Sequence, residues 1–200
     1  MKWGNDMRLD MMPIATEKQI IDMEQAVRHI WIEYYKNIFS EDQIEYMLRI
    51  YHSKEAIRKQ IQSGTVYMIL MSGDEIIGYT SYYIENDILY LPRLCIKHEY
   101  RRNGLARQVI ERIEKIFLSS ENGLSHIKKI QRNLSVRNDL AIHIYEHLGF
   151  YKKKRVVVDL GSGYFSEDYV MEKRIGSHEE KHRHYGTKTE ALHNFAAETP

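Results

Sequence analysis

The sequence has little cysteine, no long apolar run and no marked excess of charge of either sign. Its single cysteine, Cys95, excludes an internal disulfide and favours a reducing compartment, so we expect a cytoplasmic protein. No stretch approaches the roughly 18–20 consecutive apolar residues of a membrane-spanning helix, and the polar N-terminus is not typical of a signal peptide. Because 29 Lys and Arg residues oppose 28 Asp and Glu residues, no overall field favours nucleic acid or an anionic membrane as a partner.

The composition is typical of one folded domain followed by a polar tail. Hydrophobic residues make up 43% of the chain and charged residues 28%, near the averages of globular domains. Apolar residues become sparse after residue 175, so we expect a domain over residues 1–175 and a mobile tail over residues 176–200. The histidines of the tail lack cysteine and a fixed scaffold beside them, and we therefore expect no metal site.

Hydrophobic periodicity predicts a helical first third and then a series of strands. Residues 17–39 carry apolar side chains at three- and four-residue intervals, which predicts an amphipathic helix, and residues 42–62 predict two shorter helical pieces. Two runs, 66–71 and 76–84, are separated by turn residues and predict a β-hairpin, and residues 88–96 predict a third strand.

The second half of the chain alternates helices with strands. A helix opening at Gly104, a strand over residues 127–136, a short helix over residues 139–148 and two final strands follow in this order. A strand-helix-strand-helix-strand order requires right-handed crossovers and at least one parallel pair of strands. The predicted class is therefore α+β, with a central mixed and mostly antiparallel sheet flanked by helices on both faces.

The most informative local signal lies between the third strand and the following helix, in the segment Arg101-Arg102-Asn103-Gly104-Leu105-Ala106. A helix start exposes unpaired backbone N–H groups and the positive end of the helix dipole, and the small residues Gly104 and Ala106 let a diphosphate approach them. Arg101, Arg102 and Arg107 add positive charge around the same anion. Taken alone, a glycine and an alanine at this spacing also fit ordinary capping and packing.

Two motifs together resemble one known family. The segment from Leu94 to Ala106 resembles the pyrophosphate-binding motif of the GNAT superfamily of acyl-CoA N-acyltransferases, Arg/Gln-x-x-Gly-x-Gly/Ala. Downstream, the residues Asn138, Ala141, Tyr145, Gly149 and Phe150 resemble the strand–helix segment that flanks the CoA thiol in that family. Each residue of the second motif would, by itself, also fit a helix cap or a packed aromatic.

The resemblance implies an N-acetyltransferase with acetyl-CoA as donor and an amine as acceptor. It implies that the strand ending at Leu94-Cys95-Ile96 pairs with the pantetheine arm and that the diphosphate contacts the N–H groups of residues 102–107. Tyr145 matches the position whose hydroxyl protonates the departing thiolate, which suits a phenol that is neutral at pH 7. The implied CoA-binding residues are Leu94, Cys95, Ile96, Arg101, Arg102, Asn103, Gly104, Leu105, Ala106, Arg107 and Asn138.

The general base stays open at this point. Many members of the family carry a glutamate where this chain has Pro92, so the base could be Glu85, His98 or a chain of water molecules. Cys95 could be an acyl carrier, but a lone cysteine inside an apolar strand is more often an inert core residue, and direct attack by the amine needs no covalent enzyme intermediate.

The acceptor is suggested only by composition. The segments 31–35, 53–57 and 168–173 resemble bacterial spermidine/spermine N-acetyltransferases of the Pai type, and a polyamine would suit acidic and aromatic groups. Acetylation of a peptide amine and a non-catalytic module that binds acyl-CoA are the alternatives, and a homodimer is one option for assembly. The basic segment Lys152–Arg155 fits a solvated strand end better than a nucleic-acid site. The groups that could form the acceptor cleft are Trp31, Glu33, Tyr34, Tyr35, Glu41, Asp42, Glu45, Tyr164, Glu167 and Asp168.

Overall fold

The computed structural model describes residues 8–118 and 126–175 of the 200-residue chain. Within these ranges, apart from a short first strand, strands and helices follow the order expected from the hydrophobic pattern. In chain order they are β1 (Asp10–Pro13), α1 (Glu17–Tyr35), α2 (Glu41–Met47), a π-helical turn (Leu48–His52), α3 (Lys54–Gln62), β2 (Val66–Ser72), β3 (Glu75–Glu85), β4 (Ile88–Ile96), α4 (Leu105–Leu118), β5 (Lys129–Ser135), α5 (Asp139–His147), β6 (Tyr151–Gly161) and β7 (Tyr164–Arg174).

One seven-stranded sheet joins all of these strands in the order β1-β2-β3-β4-β5-β7-β6. Neighbouring strands are antiparallel except β4 and β5, which are parallel. These two parallel strands pair over three residues each, with Ile88–Tyr90 opposite Lys129–Gln131. Beyond these residues β4 continues to Ile96 without pairing to β5, so the sheet has a gap in its middle.

Polar side chains begin the first three helices. Thr16 accepts a hydrogen bond from the backbone N–H of Gln19, whose side chain in turn accepts from the backbone of Thr16, and this capping box starts α1. Ser40 and Ser53 cap α2 and α3 in the same way through their hydroxyl oxygens. These caps divide residues 17–62 into three helices, with the π-helical turn between the second and the third.

Two hydrophobic cores lie on opposite faces of the sheet. The core under α4 and α5, the α4–α5 core, includes the buried residues Val109, Ile110, Ile113, Phe117 and Ile142 together with sheet residues such as Leu89, Leu91 and Ile130. The core under the first three helices, the α1–α3 core, includes Met23, Val27, Ile30, Ile44 and Ile57 together with Tyr67 and Tyr79 of the sheet. Because helices cover both faces of a mixed, mostly antiparallel sheet, the predicted α+β class is confirmed.

The structure corrects the predicted elements in three places. The strand β1 was not predicted, because its four residues are too few to show a period. It lies at the edge of the sheet and pairs only with β2. The last two strands span 11 residues each and are longer than their apolar centres suggest. The predicted tail, residues 176–200, lies outside the described residues.

The described ranges contain neither a candidate membrane-spanning helix nor a candidate metal site. No helix within residues 8–118 or 126–175 combines the length and the apolar character that a membrane crossing requires. In the same ranges no group of three or more His, Cys, Asp or Glu side chains is placed to hold a metal ion.

Candidate active site

A cleft of about 740 Å³ opens where β4 and β5 diverge. Its walls come from the end of β4, the loop that leads into α4, the helix α5 and the last turns of α1. It contains all but one of the site residues expected from the sequence, namely Leu94, Cys95, Ile96, Arg101, Arg102, Gly104, Leu105, Ala106, Arg107, Asn138 and Tyr145. The exception is Asn103, whose side-chain amide donates to the backbone carbonyls of Tyr100 and Arg101 and holds the loop in shape.

The loop before α4 presents free backbone N–H groups. Gly104 has φ +71°, a left-handed conformation that suits glycine, and Arg102 shares it with φ +65°. Gly104 also accepts the first hydrogen bond of α4, from the N–H of Gln108. Among the described residues no hydrogen bond engages the N–H groups of residues 102–107. Together with the dipole of the 14-residue helix α4, these groups form an arrangement that binds anions.

Arg101 supports the loop through contacts with its neighbours. Its Nε donates to the carbonyl of Ile96, the last residue of β4, at 2.9 Å. Its guanidinium lies 5.0 Å from the ring centre of Tyr34 and 4.0 Å from the carboxylate of Glu33, both on α1. Arg101 therefore joins β4, the loop and α1. Arg102 and Arg107 are exposed and line the same cleft, and Arg107 donates from Nη2 to the carbonyl of His147 at the end of α5.

Tyr145 lies at the inner end of the cleft, with its side chain buried. Arg132, on β5, donates a hydrogen bond from Nη1 to the Tyr145 hydroxyl, and its guanidinium carbon lies 4.1 Å from the Tyr145 ring centre. Burial raises the pKa of Tyr145 to about 12, although the charge of Arg132 opposes this rise. The phenol is thus neutral near pH 7, and its own hydrogen has no acceptor among the described residues. This is the state that a proton donor requires.

Asn138 connects the two sides of the cleft. Its side-chain oxygen accepts from the N–H of Ala141, which caps α5, and from the hydroxyl of Tyr34 on α1 at 2.9 Å. The side chain is buried. The same residue therefore fixes the start of the helix that carries Tyr145 and ties that helix to α1.

Cys95 lines the cleft without the environment of a nucleophile. Burial raises the pKa of its thiol, and the hydroxyl of Tyr79, which hydrogen-bonds to it, opposes the rise only in part. The uncharged thiol is the less reactive form, so the structure favours the interpretation of Cys95 as a packing residue.

A second cavity of about 630 Å³ adjoins the cleft on the face of α1–α3. The two cavities share Tyr35, Arg132, Leu134 and Asn138, so they meet beside the Tyr145 hydroxyl. The walls of the second cavity come from α1, the π-helical turn and β3 to β7. This second cavity contains Trp31, Tyr35 and Asp168 of the groups expected around the acceptor, and we call it the acceptor cavity.

The acidic groups expected around the acceptor are mostly elsewhere. Only Asp168 lines the acceptor cavity, together with the aromatic residues Trp31 and Tyr35. Glu45 pairs with Arg28 and Glu167 pairs with Arg155, both away from the cavity. Burial raises the pKa of Asp168, while a hydrogen bond from Ser166 and the charge of Arg132 lower it. The sequence-based expectation of an acidic acceptor site is therefore met by one carboxylate among the described residues.

Asp168 also bears on the choice of a general base. Glu85 lies at the end of β3 and lines neither cavity, and His98 lines the cleft but not the acceptor cavity. Asp168 lies in the acceptor cavity itself and has a side chain that can accept a proton.

Sequence reasoning missed three residues of the acceptor cavity: Arg93, Arg132 and His52. A signal for Arg132 was present, since Ile130, Arg132 and Leu134 alternate along a predicted strand and so face the same side. A charged residue between two apolar ones on a buried face indicates a special role. His52 lies in a π-helical turn, which periodicity does not predict, and burial beside Arg93 lowers its pKa well below the ordinary range.

Comparison with solved structures gives many neighbours with the same fold. A structure of the PaiA N-acetyltransferase from Thermoplasma acidophilum in complex with coenzyme A matches with a TM-score of 0.65 at 22% identity, over 84% of this chain and 99% of that chain. A chimera of the spermidine N-acetyltransferase SpeG from Vibrio cholerae and hSSAT matches with a TM-score of 0.61 at 17% identity, over 84% of this chain and 96% of that chain. An acetyltransferase from Thermus thermophilus matches with a TM-score of 0.58 at 19% identity, over 83% of this chain and 96% of that chain. No curated protein matches the sequence significantly.

The sequence itself carries the family assignment. The family model of the acetyltransferase (GNAT) domain matches residues 35–166. This range includes β4, the loop before α4 (the anion loop, residues 101–104), α5 and most of the acceptor cavity. This match confirms the family expected from the two motifs and the prediction that the chain is an acetyltransferase. The protein belongs to the GNAT family of acetyltransferases.

Proposed function

We propose that the protein transfers an acetyl group from acetyl-CoA to an amine, by direct attack within a ternary complex. The observation that supports this proposal most is the meeting of the two cavities at Arg132, beside the Tyr145 hydroxyl. A donor in one cavity and an acceptor in the other would present their reacting atoms to the same proton donor. Such an arrangement lowers the barrier by proximity and orientation.

The cleft suits the donor in two ways. Its loop offers free N–H groups and the arginines Arg102 and Arg107 to a diphosphate. The edge of β4 from Leu91 to Ile96 does not pair with β5, and apart from the Ile96 carbonyl, which accepts from Arg101, it is open to the amides of a pantetheine arm, which would bind as an added strand does. The CoA complex of PaiA, which has the same fold, supports this assignment.

The chemical step follows from the groups at the junction. The amine nitrogen attacks the thioester carbonyl carbon and forms the new C–N bond, and the tetrahedral intermediate then breaks its C–S bond. Tyr145 donates its hydroxyl proton to the departing CoA thiolate, and the charge of Arg132 stabilises the resulting tyrosinate. We propose Asp168, in the acceptor cavity, as the group that accepts the proton lost by the amine.

The finer hypothesis of a polyamine acceptor has some support. The spermidine N-acetyltransferase chimera shares the fold, and Asp168 with the aromatic walls could bind an ammonium group. Against it stand the cations of the acceptor cavity, Arg93, Arg132 and Lys154. Peptide amines remain a further class of acceptor, and cytoplasmic location stays a prediction from the single cysteine.

Release of CoA tests the proposal directly. Acetyl-CoA is incubated with the full-length protein and a panel of amines, and the free thiol is measured together with CoA binding in the absence of amine. We expect binding without amine and thiol release with at least one amine. Binding with no release from any amine would favour the alternative of a non-catalytic module, and absence of binding would overturn the proposal.

A further inference from the structure

Two cations of the acceptor cavity have no acidic partner. Arg93, on β4, and Lys154, on β6, both line the cavity. Neither has a carboxylate within ion-pair distance among residues 8–118 and 126–175. The other three cations of the segment Lys152–Arg155 each pair with a glutamate. The cavity therefore has positive charge that its own side chains leave uncompensated.

Arg93 is held in place by neutral acceptors. Its Nη2 donates to the carbonyl of Tyr51 in the π-helical turn at 3.2 Å, and its Nη1 donates to the hydroxyl of Ser81 at 3.4 Å. The guanidinium also lies 5.5 Å from the ring centre of Tyr67. Each terminal nitrogen carries two N–H groups and uses one, so a second remains on each. Two parallel N–H groups are what an arginine offers to a carboxylate or a phosphate.

The partial burial of Arg93 costs solvation free energy, which an anionic ligand would restore. Its Nε is buried without a hydrogen-bond partner, and the side chain as a whole is half-buried. A partly desolvated charge loses solvation that only an anion or strong acceptors can replace. Arg132 adds a second buried guanidinium at the junction, and Asp168 is the one carboxylate among the described residues of the cavity wall.

We propose that the acceptor is an amine that also carries a carboxylate or phosphate group, and that Arg93 binds this anionic group. Lys154, on the other side of β5 and β7, adds to the positive charge of the same cavity wall. The proposal rests on the acetyl transfer proposed above and names the substrate class of that site. Asp168 then faces the amino end near the junction, while the anionic end lies against β4 at Arg93. A polycationic acceptor would instead bring its extra charges toward Arg93 and Lys154, which is unfavourable.

Matched pairs of amines test the proposal. The wild-type protein with saturating acetyl-CoA is assayed for CoA release with β-alanine against propylamine, with an amino sugar phosphate against the same amino sugar, and with spermidine. The two anionic amines distinguish a carboxylate from a phosphate. We expect the anionic member of at least one pair to have a kcat/KM about tenfold or more higher than its neutral partner. A neutral amine or spermidine as the best acceptor would overturn the inference and leave the proposed acetyl transfer intact.

Variants assign the effect to the two cations. Arg93→Gln should raise KM for the anionic amine by about 10- to 100-fold with kcat little changed, and Arg93→Lys should lie between it and wild type. Lys154→Gln should raise KM by a smaller factor, because Lys154 acts only through the field in the cavity, and because Lys154 is exposed this change does not threaten folding. Arg155→Gln is the matched control, since this neighbouring cation pairs with Glu167 outside the cavity. Equal KM values in all of these variants would overturn the inference.

Measurements of amine binding distinguish failure of the proposed acetyl transfer from failure of the inference about the acceptor. Complete absence of CoA release with every amine would count against the proposed transfer. Calorimetric titration of the CoA-loaded protein with the same amines then still tests the inference, because binding does not require chemistry. We expect the anionic amines to bind more tightly than their neutral partners, and the difference to disappear in Lys154→Gln combined with Arg93→Gln. No difference in wild type would overturn the inference.

Discussion

In the proposed mechanism, the contact between Arg132 and Tyr145 prepares the proton donor. Burial alone would hold the phenol proton too tightly, whereas a neighbouring guanidinium stabilises the tyrosinate that donation leaves behind. Because the hydroxyl oxygen accepts from Arg132, its own hydrogen can point into the cleft. The pair thus sets both the acidity and the direction of the donor.

Removal of this hydroxyl should separate catalysis from binding. We expect Tyr145→Phe to lower kcat by roughly 100- to 10,000-fold, about 3–5 kcal/mol of barrier, because a positioned general acid is lost while the packed ring remains. Steady-state kinetics together with acetyl-CoA titration measure both effects. Tyr100→Phe is the control, since its hydroxyl lines the same cleft but donates to Glu75. Unchanged kcat in Tyr145→Phe would remove Tyr145 from the mechanism.

Asp168 should give stability a characteristic pH dependence. Its folded pKa is raised above the ordinary 3.8, so the folded state holds the proton more tightly than the unfolded state does. The stability from this group is therefore full below pH 3.8 and is lost as pH rises through the folded pKa. We expect Asp168→Asn, which does not titrate, to gain melting temperature relative to wild type across that window. Melting curves recorded from pH 4 to pH 8 measure the difference.

A second variant tests the hydrogen bond that opposes this rise in pKa. The hydroxyl of Ser166 donates to Asp168 and favours its charged form. In Ser166→Ala the pKa of Asp168 should rise further, so the loss of stability should move to higher pH. A melting profile that is parallel in wild type and Asp168→Asn would show that Asp168 has an ordinary pKa in the folded protein.

At the scale of elements, the loop before α4 combines a local backbone conformation with a charge effect. Gly104 bears on both features, because it has a left-handed φ and open space beside its α-carbon. Alanine there strains the backbone, and glutamate adds a negative charge near the predicted diphosphate site. The two substitutions therefore report on different properties.

We expect Gly104→Glu to weaken acetyl-CoA binding far more than Gly104→Ala. The alanine variant should lose about 1 kcal/mol of stability from the backbone and retain binding within a few-fold. Calorimetric titration of both folded variants measures the dissociation constants, and denaturant unfolding measures the stability. Equal affinities in the two variants would show that the anion does not lie at this loop.

The contrast between motifs and cavity walls explains what the sequence could predict. The anion loop and α5 are contiguous segments, so capping chemistry, spacing and period place Gly104 and Tyr145 without a tertiary structure. The acceptor cavity instead takes Arg93 from β4 and Lys154 and Asp168 from β6 and β7, which are far from β4 in the sequence and form one wall with it only after folding. The gap between β4 and β5 likewise could not be predicted from the sequence, since it arises because the pairing of the two strands ends after three residue pairs.

At the scale of the whole molecule, the cleft draws on both helical layers. The cleft takes walls from α1 on one face of the sheet and from α4 and α5 on the other. The bond from Tyr34 to Asn138 connects α1 to the start of α5. A ligand in the cleft therefore contacts elements of both cores, and its binding should stabilise the protein as one unit.

Acetyl-CoA should accordingly raise the melting temperature of the full-length protein. A ligand at 100 times its dissociation constant adds about 2.7 kcal/mol to the free energy of unfolding. Thermal melts with increasing acetyl-CoA measure this shift, and Gly104→Glu is the matched control in which the shift should be much smaller. An unshifted melt of the wild-type protein at millimolar acetyl-CoA would contradict the assignment of the cleft.

The gap between β4 and β5 also affects how the protein avoids aggregation. Unpaired strand edges invite association with other chains, and the two outer edges of this sheet are protected by a short strand that ends in Pro13 and by the charged start of β6. The gap adds a third edge, but it lies inside the molecule, between α1 and α5. The helices on either side cover this inner edge, so it is not displayed at the periphery of the sheet. If the proposed pantetheine arm pairs there, the same unpaired backbone that would be a hazard at an outer edge serves a ligand instead.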